Sequence, residues 1–66
     1  MDNIRLEIGF QIRDIRMEQG LKQQELADKA GITRANLCNI ESGKYSVGLD
    51  VLDKITTALG KTIRIV

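Results

Sequence analysis

The sequence contains no proline, no histidine and no tryptophan, and its 66 residues include a single cysteine, Cys38. One cysteine excludes a disulfide within the chain, and one thiol without histidine is not a transition-metal site. We therefore expect no metal and no other cofactor. A chain this short buries only about 60% of its unfolded surface. Since disulfide and metal are both excluded, stability is expected to come from a partner chain.

Long apolar runs are also missing. A membrane-spanning helix needs about 20 apolar residues, and charges interrupt every apolar stretch, including the N-terminal segment MDNIRLEIG, which is not an export signal. With one cysteine and no such signal, we expect a cytoplasmic protein. The sequence shows no phosphate-cradling glycine loop and is too short for a deep pocket. It therefore predicts neither an enzyme nor a small-molecule receptor.

The charges are nearly balanced, with ten basic and nine acidic residues, so composition by itself does not indicate nucleic-acid binding. Their distribution is more informative. Between residues 31 and 46 the only acid is Glu41, whereas Arg34 and Lys44 are basic. A local positive face is compatible with DNA binding, although an ordinary solvated surface explains these charges equally well.

Glycines divide the chain into segments whose apolar residues recur at helical spacing. The predicted helices are residues 3–19, 23–30, 34–42 and 49–59. In the first, Ile4, Ile8, Ile12 and Ile15 fall on one face, and in the last Leu49, Leu52, Ile55 and Leu59 do. We predict an all-α, compact four-helix bundle in which residues 1–66 form a single domain.

The C-terminal residues 61–66 change period. They are β-branched and alternate roughly in polarity, which predicts a short β-strand. No other segment has the sequence pattern of a strand, and a strand without a neighbour leaves its backbone N–H and C=O groups unpaired. We therefore expect it to pair with the same strand of a second copy, with Ile63 and Ile65 at the interface of a homodimer.

A second apolar stripe on the first helix supports a dimer. Leu6, Phe10 and Met17 repeat on the side opposite the isoleucines, and a helix that is apolar on two faces is usually buried on both. We predict that these three residues belong to the dimer interface. The alternative is a few scattered exposed apolar residues, which are common on protein surfaces.

Residues 23–42, QQELADKAGITRANLCNIES, carry the functional motif. Ala27 is small enough to let another helix cross closely, and Gly31 follows four residues later, where a turn needs a positive φ. Ile32 can fill the angle between two helices, and Leu37 and Ile40 hold the second of them against the core. Two short helices joined by a glycine-containing turn form a helix-turn-helix unit.

From about residue 8 to residue 60, the chain resembles the Xre/Cro family of helix-turn-helix repressors, most clearly in IRDIRMEQGLKQQELADKAGITRANLCNIESGK. The resemblance implies a compact bundle of four or five helices that binds operator DNA as a dimer. It also implies that the helix starting near Thr33 enters the major groove. Lys22 departs from the Ser, Thr or Asn that the family prefers as the cap of the second helix, and Val47 stands where the family often has proline.

The resemblance also implies site residues. Gln23 matches a glutamine that touches a phosphate and braces the recognition helix, and Lys44 lies where the family's loop meets the DNA backbone. The base- and phosphate-contacting positions of the recognition helix correspond to Thr33, Arg34, Ala35, Asn36 and Asn39. Their chemistry fits, because arginine pairs with guanine, asparagine with adenine, and alanine packs on the thymine methyl group.

Two further matches are interpreted as structural. Arg16 and Glu41 occupy the family's positions for a partly buried ion pair that joins the first helix to the end of the third. Cys38 lies in the recognition helix, where its oxidation could block DNA docking. Since no cluster that would activate the thiol is visible in the sequence, we interpret Cys38 as a small apolar residue.

The sequence thus predicts a sequence-specific transcriptional regulator, most simply a repressor, that binds a near-palindromic operator as a homodimer. The alternative is an antitoxin, which binds a protein toxin as well as its own operator. A third possibility is a controller of a restriction–modification system.

Overall fold

The computed structural model describes residues 4–63 and contains four helices in that range. They are α1 (Ile4–Glu18), α2 (Gln23–Ala30), α3 (Arg34–Glu41) and α4 (Leu49–Ala58). The all-α, four-helix prediction is confirmed, and each helix begins and ends within one residue of its predicted bounds. None of these helices has the length and apolar character that a membrane crossing requires.

The core forms where α2 packs on both α3 and α4, and where α1 packs on α3. Leu26, Leu37 and Ile55 are its fully buried large side chains, one from each of α2, α3 and α4. Burying a side chain of this size contributes about 1.5–3 kcal/mol. The remaining core residues are Ile12, Ala27, Ala30, Ile40 and Leu59.

The predicted inward stripes are wrong at their N-terminal ends. Ile4 is 56% exposed and Leu49 is 78% exposed. In α4 the buried arc is centred on Ile55, and a helix turns by about 100° per residue, which places Leu49 roughly 120° away from that centre. Val51 and Leu52 pack against the core in its place. Ile4 opens the first turn of α1, two turns before the buried Ile12.

The predicted C-terminal strand is not supported. Residues 61–63 adopt irregular structure, and residues 64–66, including Ile65, lie outside the described residues. A strand needs a hydrogen-bonded neighbour, and the described part of the chain offers none. Residues 61–63 instead border a groove of about 400 Å³ between α1 and α4, which Ile8, Ile15 and Leu52 also line.

Candidate nucleic-acid interface

The turn between α2 and α3 occupies only residues 31–33. Gly31 adopts the left-handed conformation with φ 73° and ψ 31°, and its N–H donates to the carbonyl oxygens of Ala27 and Asp28. The N–H of Ile32 also donates to the carbonyl oxygen of Ala27, at 3.0 Å. These bonds satisfy carbonyls that the end of α2 would otherwise leave unpaired. The turn therefore fixes the angle at which α3 leaves α2.

Thr33 determines where α3 begins. Its backbone is extended, and its hydroxyl oxygen accepts a hydrogen bond from the backbone N–H of Asn36 at 3.0 Å. A side-chain oxygen at this position satisfies one of the unpaired N–H groups of the first turn. Arg34 and Ala35 consequently occupy the first turn of α3, and both are exposed.

One face of α3 is turned away from the core. Leu37 and Ile40 are buried on the opposite face, with 0% and 3% of their surface exposed. Lys44 follows the helix and is exposed, and its backbone N–H donates to the carbonyl oxygen of Asn39 at 3.0 Å. The predicted base- and phosphate-contacting residues of α3 lie on the outward side, where Thr33, Arg34 and Ala35 are exposed and Asn36 and Asn39 are half-buried.

Arg16, Gln23 and Glu41 form a hydrogen-bonded network beneath α3. Arg16 Nε donates to Glu41 Oε2 at 2.7 Å, and Arg16 Nη2 donates to Glu41 Oε1 at 3.1 Å. Gln23 Nε2 donates to the same Oε1 at 3.0 Å. Arg16 Nη1 also donates to the carbonyl oxygen of Leu21 at 2.8 Å. The side chains of Arg16 and Glu41 are 12% and 4% exposed, so this pair lies largely away from water.

This network joins three helices at one carboxylate. Glu41 is the last residue of α3, Gln23 is the first residue of α2, and Arg16 lies in the last turn of α1. Two-point pairing between a guanidinium and a carboxylate adds directional constraint to its electrostatic attraction. The end of α3 is therefore fixed relative to both α1 and α2. One amide hydrogen of Gln23 is used in its hydrogen bond to Glu41.

Gly9 was not identified from the sequence, yet it lies at the closest approach of α1 to α3. It is buried, and a Cβ placed on it would lie 2.5 Å from the carbonyl oxygen of Ile40 and 2.7 Å from that of Glu41. Backbone atoms at such distances leave no room for a methyl group. The only sequence signal was a glycine inside a helix, which costs up to about 1 kcal/mol relative to alanine.

An open hollow of about 290 Å³ lies between α1, the start of α2 and the second half of α3, and we refer to it as the α1–α3 hollow. The Arg16–Glu41 pair and Gln23 form part of its lining, and Cys38, which is exposed, lies on the α3 side. Its lining residues are Arg13, Arg16, Gln23, Cys38, Glu41 and Ser42. Sequence reasoning missed Arg13 because it lies outside the helix-turn-helix segment.

On the other flank of α3, the loop to α4 brings Tyr45 beside Asn36. These two residues line a small cleft together with Val47 and Val51, and Tyr45 is 54% exposed. Tyr45 was not identified from the sequence, because no local pattern distinguishes it. The exposed face of α3 thus lies between the α1–α3 hollow on one side and this cleft on the other.

Lys22 precedes α2 and makes no side-chain cap. Instead, Glu25 Oε1 accepts a hydrogen bond from the backbone N–H of Lys22 at 2.8 Å. This is the reciprocal half of a capping box. A glutamate three residues into α2 therefore compensates in part for the missing Ser, Thr or Asn.

The residues predicted to form a dimer interface lie on two sides of α1. Leu6, Phe10 and Met17 are 54%, 62% and 57% exposed. Part of the Leu6 side chain lies against Gly43, two residues after the end of α3. A Cβ added to Gly43 would lie 2.5 Å from Leu6 Cδ2. Ile63 is 42% exposed and borders the groove between α1 and α4. Ile65 lies beyond the described residues.

Comparison with known proteins gives matches to repressors and control proteins. The family model described as HTH_3, helix-turn-helix, matches residues 12–66. The control protein C.BamHI of Bacillus amyloliquefaciens is 38% identical over 60 residues, which cover 89% of this chain and 74% of that protein. The immunity repressor protein of Bacillus phage phi105 is 38% identical over 55 residues, covering 83% of this chain but 38% of that repressor.

A solved structure shows the same fold. The restriction-modification controller protein C.AhdI from Aeromonas hydrophila superposes with a TM-score of 0.86 at 31% sequence identity, and the match covers 88% of each chain. The described helices therefore adopt the arrangement seen in a restriction-modification controller of similar length.

Proposed function

Because the chain belongs to the HTH_3 helix-turn-helix family and is a DNA-binding transcriptional regulator, we propose that it represses transcription by binding a near-palindromic operator as a homodimer. In this proposal the outward face of α3 reads bases in the major groove. The observation that carries it is the exposed face of α3. This helix begins at the Thr33 cap, and its last residue, the buried Glu41, is hydrogen-bonded to α1 and α2.

The side chains on this face suit base reading. Arg34 is exposed in the first turn and can pair with O6 and N7 of guanine, while Asn39, five residues later, can pair with N6 and N7 of adenine. Each such two-point contact discriminates against the wrong base by about 1–3 kcal/mol. Ala35 offers a methyl group to thymine, and Lys44 supplies a cation beside the helix.

Selection from random-sequence duplexes, followed by fluorescence-anisotropy titration, tests this reading. Arg34→Ala and Asn39→Ala are expected to lose preference for the selected duplexes while retaining salt-dependent binding to bulk DNA. Lys29→Ala, an exposed change in the last turn of α2, is the control and should preserve the preference. Selection that returns no preferred sequence would contradict the proposal.

The dimer rests on the exposed apolar residues of α1 and the tail. In a two-fold dimer the recognition helices should lie about 34 Å apart to enter successive major grooves. Phe10→Glu and Ile63→Glu are expected to shift the chain to monomer in sedimentation velocity, because each places a charge in the apolar contact. Leu49→Glu is the matched control, since Leu49 is an exposed apolar residue outside this surface.

Control of a restriction–modification system is the second candidate. It is supported by the similarity to two controllers, C.BamHI and C.AhdI. Mapping the bound sites on the source genome separates the candidates, because a controller should bind upstream of genes for a paired endonuclease and methyltransferase. The antitoxin alternative stays a prediction, and its test is co-purification with a toxin.

Two further expectations belong to this proposal. The named relatives are regulators, which supports the prediction that the chain is not an enzyme. A regulator of this kind acts where the chromosome lies, so we place it in the cytoplasm.

A further inference from the structure

Three charged side chains line the α1–α3 hollow, and two of them, Arg16 and Glu41, are paired with each other. Arg16 directs three of its nitrogens to Glu41 and to the carbonyl oxygen of Leu21. Glu41 accepts from Arg16 and Gln23 and is 8% exposed. The carboxylate is therefore occupied by partners within the chain and presents little of itself to the hollow.

Arg13 is the other cation of the hollow. It lies on α1 three residues before Arg16, so both side chains project from the same side of the helix. Arg13 is exposed, and within residues 4–63 its side chain forms no ion pair and no hydrogen bond. The acidic residue of the lining, Glu41, is already paired with Arg16. One guanidinium thus remains unneutralised at this edge of the molecule.

The position of the hollow relative to α3 indicates what Arg13 meets. Cys38 and Ser42 place the hollow on one flank of α3, whereas Asn36 and Tyr45 lie on the other flank. The major groove is about 12 Å wide and admits one helix, so sugar–phosphate backbone runs along both flanks of a helix docked in it. A cation on a flank of α3 therefore faces phosphate oxygens rather than base edges.

We propose that Arg13 binds a backbone phosphate of the DNA from α1, outside the helix-turn-helix segment. This inference rests on the proposed docking of α3. The planar guanidinium can donate two parallel hydrogen bonds to phosphate oxygens. Because Arg13 meets the backbone only, it adds affinity without sequence preference and sets the position of the protein along the duplex.

The test is the salt dependence of binding to a random-sequence duplex, measured by fluorescence anisotropy over a series of NaCl concentrations. Each phosphate contact that is lost reduces the slope of log K against log salt by about one. Arg13→Gln is expected to show this reduction and to weaken binding equally for all sequences. Arg13→Lys should retain the wild-type slope, because it keeps the cation.

Lys54→Gln is the matched control, because Lys54 is an exposed cation on α4 that does not line the hollow. It should leave the slope unchanged. A slope for Arg13→Gln equal to that of the wild type, or an equal reduction in Lys54→Gln, would overturn the role of Arg13 and leave the proposed function standing. A wild-type protein that binds no duplex at all would overturn both.

Discussion

The backbone of Gly9 touches the carbonyl oxygen of Ile40, with only 2.5 Å between that oxygen and the site where a Cβ would stand. This contact joins the middle of α1 to the last turn of α3. The distance between the two helices at this point is therefore set by the absence of a side chain. Any substituent at residue 9 has to displace the recognition helix or α1.

Gly9→Ala is expected to destabilise the protein by about 1–3 kcal/mol, the usual cost of overpacking, even though alanine is the better helix former. Urea denaturation followed by circular dichroism measures the change. Gly48→Ala is the control, because nothing lies within 4 Å of a Cβ there and the φ of Gly48 is −70°. If Gly9→Ala proved more stable than the wild type, the contact would not constrain α3.

Glu41→Gln is expected to cost about 3–5 kcal/mol, because it leaves the guanidinium of Arg16 without a countercharge in a largely buried position. The measurement is chemical denaturation. The double variant Arg16→Met/Glu41→Leu should be less destabilised than the sum of the single variants Arg16→Met and Glu41→Leu. Strict additivity would show that the two side chains stabilise the fold independently.

Thr33→Ala removes the oxygen that accepts from the N–H of Asn36 and is expected to cost about 0.5–2 kcal/mol. Thr33→Ser keeps an oxygen at the same position and should stay close to the wild type in thermal unfolding. Equal losses for the two variants would mean that the methyl group of Thr33, rather than its hydroxyl, stabilises α3.

Leu37→Ala is expected to destabilise by about 2–5 kcal/mol, since it opens a cavity at a residue with no exposed surface. Leu49→Ala should change the stability by no more than about 0.5 kcal/mol, because Leu49 is 78% exposed. The small effect of Leu49→Ala checks the corrected inward face of α4, and Leu37→Ala supplies the reference for a buried leucine. A large loss in Leu49→Ala would indicate that this side chain is covered by a second molecule.

The helices could be predicted from sequence because glycine punctuation and apolar spacing coincide. Gly31 marked the turn, and Thr33 marked the start of α3. Leu49 was misplaced because apolar spacing alone does not show where the arc covered by neighbouring helices ends. Gly9 and Arg13 escaped prediction for a different reason. Their surroundings come from α3, which is distant in sequence, so a glycine inside a helix does not show what lies against it, and Arg13 is an ordinary arginine on a helix surface.

The strand prediction failed on a related point. β-Branched alternation reports a local preference, but a strand exists only when a second backbone lies alongside it. Residues 61–63 lie at the edge of the α1–α4 groove instead. The change of period in this segment is a local pattern, and it does not contain the partner backbone that a strand needs.

The pairing of helices described above has a consequence for how the protein unfolds. α1 packs on α3, and α2 packs on both α3 and α4. Helices that are not consecutive in the chain therefore share one core. No cut between consecutive helices leaves two pieces that each keep their own core. Denaturation is therefore expected to be a single all-or-none transition. The recognition helix should then melt together with the rest of the domain rather than ahead of it.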